Sequence, residues 1–435
     1  MIQQQRVPAF VLRRTQKTFH APVVTIDSPD ELPVRWPHFL LIFAVLPLFG
    51  EVFHYLKVLP PMWALSKAFP IITLPLCFFA MKDGPAPRGS RQILLSLLYL
   101  FLVPSFTAIF SFQQNFFLGL TSQVKLLPIL YFFSFTGLLR LLKPTSSEIA
   151  KSFLYWGLLL FTLLVLLWIF VPQSVYEALH KANDAPMFSY DSRGNRIRMP
   201  FLFGTIGIFY CFRRFFAEKK IWWLLGSIAG FAAVMGLIRM RAAVLGLSMV
   251  FALNTLRFSK PKTRILILAL LPFAAAALLS VPYVASTFDT GAQSGFDIRR
   301  GTIEKAVAFL GNDPLRWLMG VGTITPLDST GLIRYFNHSF FLADITWLGI
   351  TFEFGLIGAV LLLMIPVRGL WESRNVRASR QGAFLGSLQD YLIYSLLIST
   401  GYPLTMAPGE FAMILAILVH ERARYGANDP RFRYS

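Results

Sequence analysis

"IWWLLGSIAGFAAVMGLIRMRAAVLGLSMVFALNTL", residues 221–256, is an apolar run that contains Arg239 and Arg241 and no acidic residue. As one helix it would reach about 54 Å, too long for a single crossing of a ~30 Å hydrocarbon core. The chain must therefore turn near Arg239 to Arg241, and the run reads as two membrane spans that meet at a pair of arginines. Ionised side chains at membrane depth are costly, which makes the pair a candidate functional site.

The rest of the chain repeats the pattern. It has 435 residues, is 55% hydrophobic and 14% charged, and carries 43 Phe, far more apolar than a soluble globular domain needs. Apolar segments of roughly spanning length, about 20 residues each, begin near Phe39, Trp63, Ile93, Ser122, Ser152, Phe201, Ile221, Ala242, Ile265, Ala343, Ala383 and Pro408. The expectation is an all-α polytopic integral membrane protein with about twelve transmembrane helices. Cys77 and Cys211 sit in apolar runs without ligand-like spacing, so neither a disulfide nor a metal site is read from them. The start, "MIQQQRVPAFVLRRTQKTF", lacks the apolar core and cleavage site of a signal peptide and is expected to stay in the cytoplasm.

Charge sets the expected sidedness. With both termini inside, "MKDGPAPRGSRQ", "RRFFAEKK", "RFSKPKTR", "RGLWESRNVRASR" and the tail "ERARYGANDPRFRYS" are cytoplasmic, and about 27 of the 41 Lys and Arg residues fall on that side. The net charge of +19 is then a matter of topology and not of nucleic-acid binding, because it is split among short loops. The expected organisation is a cytoplasmic segment, 1–37; nine spans over 38–286 with an outer loop at 172–199; a large external loop, 287–341, carrying short amphipathic helices; three more spans, 342–421; and a basic tail, 422–435. The arginines left outside cluster as Arg193, Arg196 and Arg198; Arg239 and Arg241; Arg299 and Arg300; and Arg316 with Arg334. Topology does not explain these.

Arg198 stands two residues before Pro200, which places it in the expected first turn of the sixth span. Arg241 directly precedes the eighth. Both helices would run inward and turn their positive N-terminal ends outward beside an arginine, an arrangement that binds phosphate. Arg239 is the weaker candidate of its pair, since residues two apart on a helix face different ways. In the large loop, Ile298, Ile303, Ala306, Val307 and Leu310 recur at helical spacing and Gly311 supplies a stop, giving an amphipathic helix that would lie over the site like a lid with Arg299 and Arg300 near its start. "MGVGTITP" reads as a turn. His338 precedes an inward-running span at the level of the arginines, where a neutral imidazole suits a general base. Asp344 and Glu353 read as buried partners for arginines, Asp344 also as a second carboxylate for the site. Glu51, His54, Asp390 and Glu410 are polar residues in or beside spans with no partner legible in the sequence.

These residues resemble the bacterial O-antigen ligase and polysaccharide polymerase superfamily. "RAAVLGLSMVF" is similar to its membrane motif of Arg, Gly or Ala, Ala, then aliphatics. "IRRGTIEKAVAFLGNDPLRWLMGVG" resembles its external loop, and "NHSFFLADITWLGITFEFGLIG" its pattern of His and Asn or Ser before a span ending in Gly-Leu-Ile-Gly. The match covers about half the chain, residues ~190 to 360. The resemblance implies a GT-C-like, metal-independent and cofactor-free inverting glycosyltransferase of the inner membrane that takes its glycan from an undecaprenyl-diphosphate carrier on the periplasmic face. It assigns His338 as catalytic base and Arg198, Arg241, Arg299 and Arg300 to the diphosphate, with Arg196, Arg239 and Asp344 as additional candidates. Expected partners are the bilayer, a glycan or lipid A-core acceptor, and chain-length or export proteins. Ser339 follows His338 where the family often has Asn, which leans the reading towards a polymerase of O-antigen or exopolysaccharide repeat units. Ligation to lipid A-core is the alternative. From another class, a lipid-linked oligosaccharide flippase would place its cations along a central path between paired halves, and no such duplication is visible.

Overall fold

The computed structural model describes residues 34–53, 56, 59–82, 85–181, 187–191, 194–280, 295–324, 335–336, 340–377 and 382–426. In chain order the helices are α1 (Trp36–Phe49), α2 (Pro60–Ile72), α3 (Leu74–Lys82), α4 (Ser90–Phe112), α5 (Phe116–Ser122), α6 (Tyr131–Leu142), α7 (Ser146–Phe170) and α8 (Gln173–Lys181). They continue as α9 (Leu202–Glu218), α10 (Ile221–Ala233), α11 (Arg241–Phe258), α12 (Pro261–Leu279), α13 (Gly295–Leu310), α14 (Pro314–Met319), α15 (Thr346–Arg377), α16 (Ala383–Ile398) and α17 (Pro408–Gly426). Each of the twelve apolar segments is helical. Among the described residues seven helices are long and apolar enough to cross a membrane: Pro60–Lys82, Ser90–Phe112, Phe116–Leu142, Ser146–Phe170, Ile221–Ile238, Arg241–Phe258 and Leu342–Arg374. Trp36–Phe49 and Ala383–Ile398 are shorter apolar helices. Among the described residues this is an all-α membrane architecture with one addition, an antiparallel hairpin of β1 (Phe188–Asp191) and β2 (Gly194–Ile197).

Corners are cut by non-glycine residues in the left-handed region: Gln113 after α4, Lys143 after α6, Lys219 after α9 and Arg239 after α10, with φ of 52°, 47°, 59° and 52°. Each costs about 1–2 kcal/mol against an ordinary backbone, and those at Gln113 and Lys219 send the chain back beside the helix it has left, α5 against α4 and α10 against α9. At α7 the start is fixed by a capping box, Thr145 accepting from the Glu148 N–H while the Glu148 carboxylate accepts from the Thr145 N–H.

One end of the bundle is laced with charge. Arg35 reaches Glu148 (3.1 Å) and the Lys143 carbonyl (2.7 Å), and Arg140 donates to the carbonyls of Ala80 and Pro85. Arg368 and Arg422 both hold Glu372 (2.8 and 2.5 Å), while Arg424 donates to the Pro144 carbonyl. From there α4 and α7 run to the opposite end. Phe112, closing α4, stacks on Phe309 of α13, and Trp168, near the end of α7, packs against Tyr176 of α8. The hairpin region and α13 therefore share the end away from the charge network.

α15 is broken. At Gly355, φ 71° and ψ 174°, it stops being helical, which frees the carbonyls of Phe352 and Glu353. Val321 N–H donates to the first (2.8 Å) and Gly322 N–H to the second (3.2 Å), and Tyr99 Oη reaches the Phe354 carbonyl (3.3 Å). The "MGVG" segment, expected as a plain turn, is thus a strap across a helix break. A Cβ on Gly355 would overlap the Leu318 carbonyl, and one on Gly322 the Pro104 carbonyl, so the strap needs glycine on both sides.

Candidate functional site

The turn in the 221–256 run lies where its length requires. α10 loosens into a π-helical turn, Val234–Ile238, then Arg239 takes φ 52° and α11 begins at Arg241 itself. Arg239 is held on three sides. Its N–H donates to the Val234 carbonyl and its Nε to the Gly236 carbonyl (both 2.9 Å), and its guanidinium lies over the Trp168 ring at 5.4 Å and against Gly194 of the hairpin. In the hairpin, Arg196 Nε donates to Ser189 Oγ (2.7 Å). Arg196, Arg239 and Arg241 thus come to one corner from two separate stretches of the chain.

Arg198 is not in the first turn of a helix, as its place before Pro200 suggested. α9 starts only at Leu202, and Arg198 N–H continues the hairpin ladder to the Met187 carbonyl (2.6 Å). The hairpin captures the segment because "GNRI" pairs in register with "FSYD". Sequence reasoning favoured helix and missed this extended piece.

Arg299 and Arg300 stand apart from that corner. Both are exposed on α13, and Arg300 pairs with Glu304 at 3.0 Å with side chains 73% and 63% exposed. α13 ends at Gly311, φ 59°, as its stop signal predicted. It packs Ala306 and Leu310 into a small core with Phe112, Phe340 and Phe352, leaving Ile303 and Val307 exposed. Asp344, expected as a buried partner, is exposed in the 3-10 turn Leu342–Ile345 against which α13 packs. His338, Arg193, Arg334 and His54 lie outside the described residues.

The start of α11 and the start of α15 meet through the α16–α17 turn. Ala242 Cβ lies 3.3 Å from where a Cβ on Gly401 would be, and Thr346 Oγ1 donates to the Thr400 carbonyl (3.2 Å). Trp347 Nε1 donates to Ser399 Oγ (3.1 Å). Beyond that turn opens a cavity of about 320 Å³, lined among others by Glu51, Lys67, Lys125, Thr346, Glu353 and Thr405. Lys125 Nζ is 2.6 Å from Glu353 and lies over the Phe354 ring. Glu51 lies within electrostatic reach of Lys67 across the cavity.

Glu353 therefore pairs with a lysine, not an arginine, while Asp390 takes Arg213 in a two-pronged bridge (2.5 and 2.7 Å) and Glu410 accepts from Tyr391. Lys67 and Lys125 were missed. A signal was present, since each is a single cation in an apolar run three residues before a proline, Pro70 and Pro128. Comparison with known proteins finds no matching family model and no matching curated relative.

Proposed function

We propose that the protein is a membrane glycosyltransferase that polymerises polysaccharide repeat units carried on undecaprenyl diphosphate, at the periplasmic face of a bacterial inner membrane. The observation that carries this reading is the gathering of Arg196, Arg239 and Arg241 at one corner, with Arg241 opening α11. Diphosphate is the leaving group, so cations that meet its developing charge lower the barrier directly. The acceptor hydroxyl attacks the anomeric carbon from the opposite side, with inversion, and His338 takes its proton. The α13–α14 segment supports a lid role, because Ile303, Val307, Leu315 and Leu318 stay exposed, as on a helix pair lying in a membrane interface. In this reading all twelve apolar segments cross the membrane, both termini are cytoplasmic, and the charge-laced end faces inward, as the positive-inside trend favours.

Reconstitution in vesicles with a carrier-linked repeat unit, followed by mass analysis of the product, tests it. Longer carrier-linked chains are expected. Glycan appearing only on lipopolysaccharide would make the protein a ligase, and movement across the bilayer without a new bond would make it a flippase.

A further inference from the structure

Four departures from helical geometry surround the cavity. The 3-10 stretch Gln123–Leu130 interrupts the span Phe116–Leu142, Thr346 enters α15 at φ 42°, Leu404–Met406 forms a 3-10 turn, and Glu51 follows α1 at φ 50°. All four contribute lining residues. Within a membrane, non-helical backbone persists only where protein buries it or where it borders a cavity. Such convergence marks a built pocket, and its volume lies within the range of small-molecule sites.

Its chemistry differs from that of the arginine corner. Lys125 faces Glu353 at 2.6 Å, Lys67 is within electrostatic reach of Glu51, and Ser66, Thr346 and Thr405 add hydroxyls. Each ammonium has a carboxylate beside it, so the lining is near neutral and alternates donors with acceptors. A diphosphate here would find each ammonium already met by a carboxylate and gain little net attraction. A sugar ring, whose hydroxyls donate and accept, matches both.

We propose that this cavity seats a neutral hexopyranose unit of the glycan, with Lys67 and Lys125 donating to its hydroxyls and Glu51 and Glu353 accepting from them. The assignment rests on the glycan-transfer reading but concerns sugar recognition, while the diphosphate stays with the arginines. Thr405 lines the pocket, so Thr405→Cys in the full-length protein provides a reporter thiol.

Alkylation of that thiol, followed by mass spectrometry with Cys77 and Cys211 as internal references, is measured with methyl glycosides of glucose, galactose, mannose and N-acetylglucosamine, and separately with inorganic diphosphate. At least one glycoside is expected to slow the reaction, and diphosphate is not. Adding Lys125→Met or Glu353→Gln should weaken the protection about tenfold, the scale of one hydrogen bond to a charged group. Glu353→Gln preserves shape, and unchanged labelling of Cys77 and Cys211 reports that the fold survives. Protection by diphosphate, or by none of the glycosides, overturns the assignment. Elongation without glycoside protection would remove the sugar seat and keep the transferase; protection without elongation would do the reverse.

Discussion

Arginines do different work at the two ends of this bundle. At the charge-laced end they meet carboxylates that are fully buried: Glu148 with Arg35, and Glu372 with both Arg368 and Arg422. At the other end Arg196 bonds a hydroxyl, Arg239 a carbonyl and an indole face, and Arg300 an exposed carboxylate. A buried carboxylate fixes the geometry of its guanidinium and ties helices together, whereas an exposed one such as Glu304 holds its arginine only weakly. Residue type alone does not separate the two uses. The partner does.

The largest effect should come from breaking the tied end. Glu372→Ala leaves two guanidinium groups without their shared partner, and removing one side of a buried ion pair costs about 3–5 kcal/mol. Thermal unfolding of the purified protein should drop accordingly and membrane levels should fall. An unchanged midpoint would erase the distinction between the ends.

Next in size are effects on chemistry without effects on folding. Arg241→Ala should lower transfer by about 10²- to 10³-fold, the scale of a lost donor to developing charge, with folded protein still recovered from the membrane. Lysine should restore only part of the rate if the contact to phosphate is two-pronged. Loss of the folded protein instead would move Arg241 into the tied class. His338→Ala should still bind the carrier-linked donor while single-turnover transfer falls about 10²- to 10⁴-fold. A matching loss of donor affinity would make His338 a phosphate ligand, and equal transfer rates would make it structural.

The helices were legible because apolar runs of spanning length leave the backbone few alternatives in a membrane. The corner at Arg239 was legible for the same reason, through length alone. The cavity was not. Gln123–Leu130 reads as a continuation of an apolar helix, and nothing local announces that the chain tightens to 3-10 geometry there; the bend appears only when α17 and the 3-10 turn Leu404–Met406 pack against it. Glu51 and Glu353 were visible as polar residues in or beside spans, but their lysine neighbours lie far off in sequence, and only folding brings them within reach. The "GNRI" strand was hidden because four residues of extended chain carry too little pattern to outweigh the helical signals around them.

Arg239 stands between the two classes, and a smaller effect should show which way it leans. Arg239→Ala keeps a left-handed residue and loses the Trp168 and Gly236 contacts, for about 1–2 kcal/mol of destabilisation. Arg239→Gly loses the same contacts but relaxes the backbone, which returns up to about 1 kcal/mol. Unfolding midpoints in the order wild type, Gly, Ala would show that the side chain mainly shapes the corner; equal midpoints with depressed transfer would place its charge on the ligand.

The smallest folding effect belongs to Arg300. Its partner Glu304 is one helical turn away and both side chains are mostly in water, so the pair contributes no more than about 0.5 kcal/mol and salt weakens it further. Arg300→Ala should therefore leave the unfolding midpoint where it was. Transfer is the sharper readout. If α13 covers the carrier and Arg300 swings from Glu304 to phosphate, the wild-type rate at low donor concentration should fall as salt rises, and the variant should be slower by a few-fold with a flatter salt dependence. Glu304→Gln should then act in the opposite sense, freeing the guanidinium and raising the apparent donor affinity. Identical salt profiles for all three proteins would show that this exposed pair serves only its own helix, and the charge available to the carrier would be confined to the corner where α10 and α11 meet.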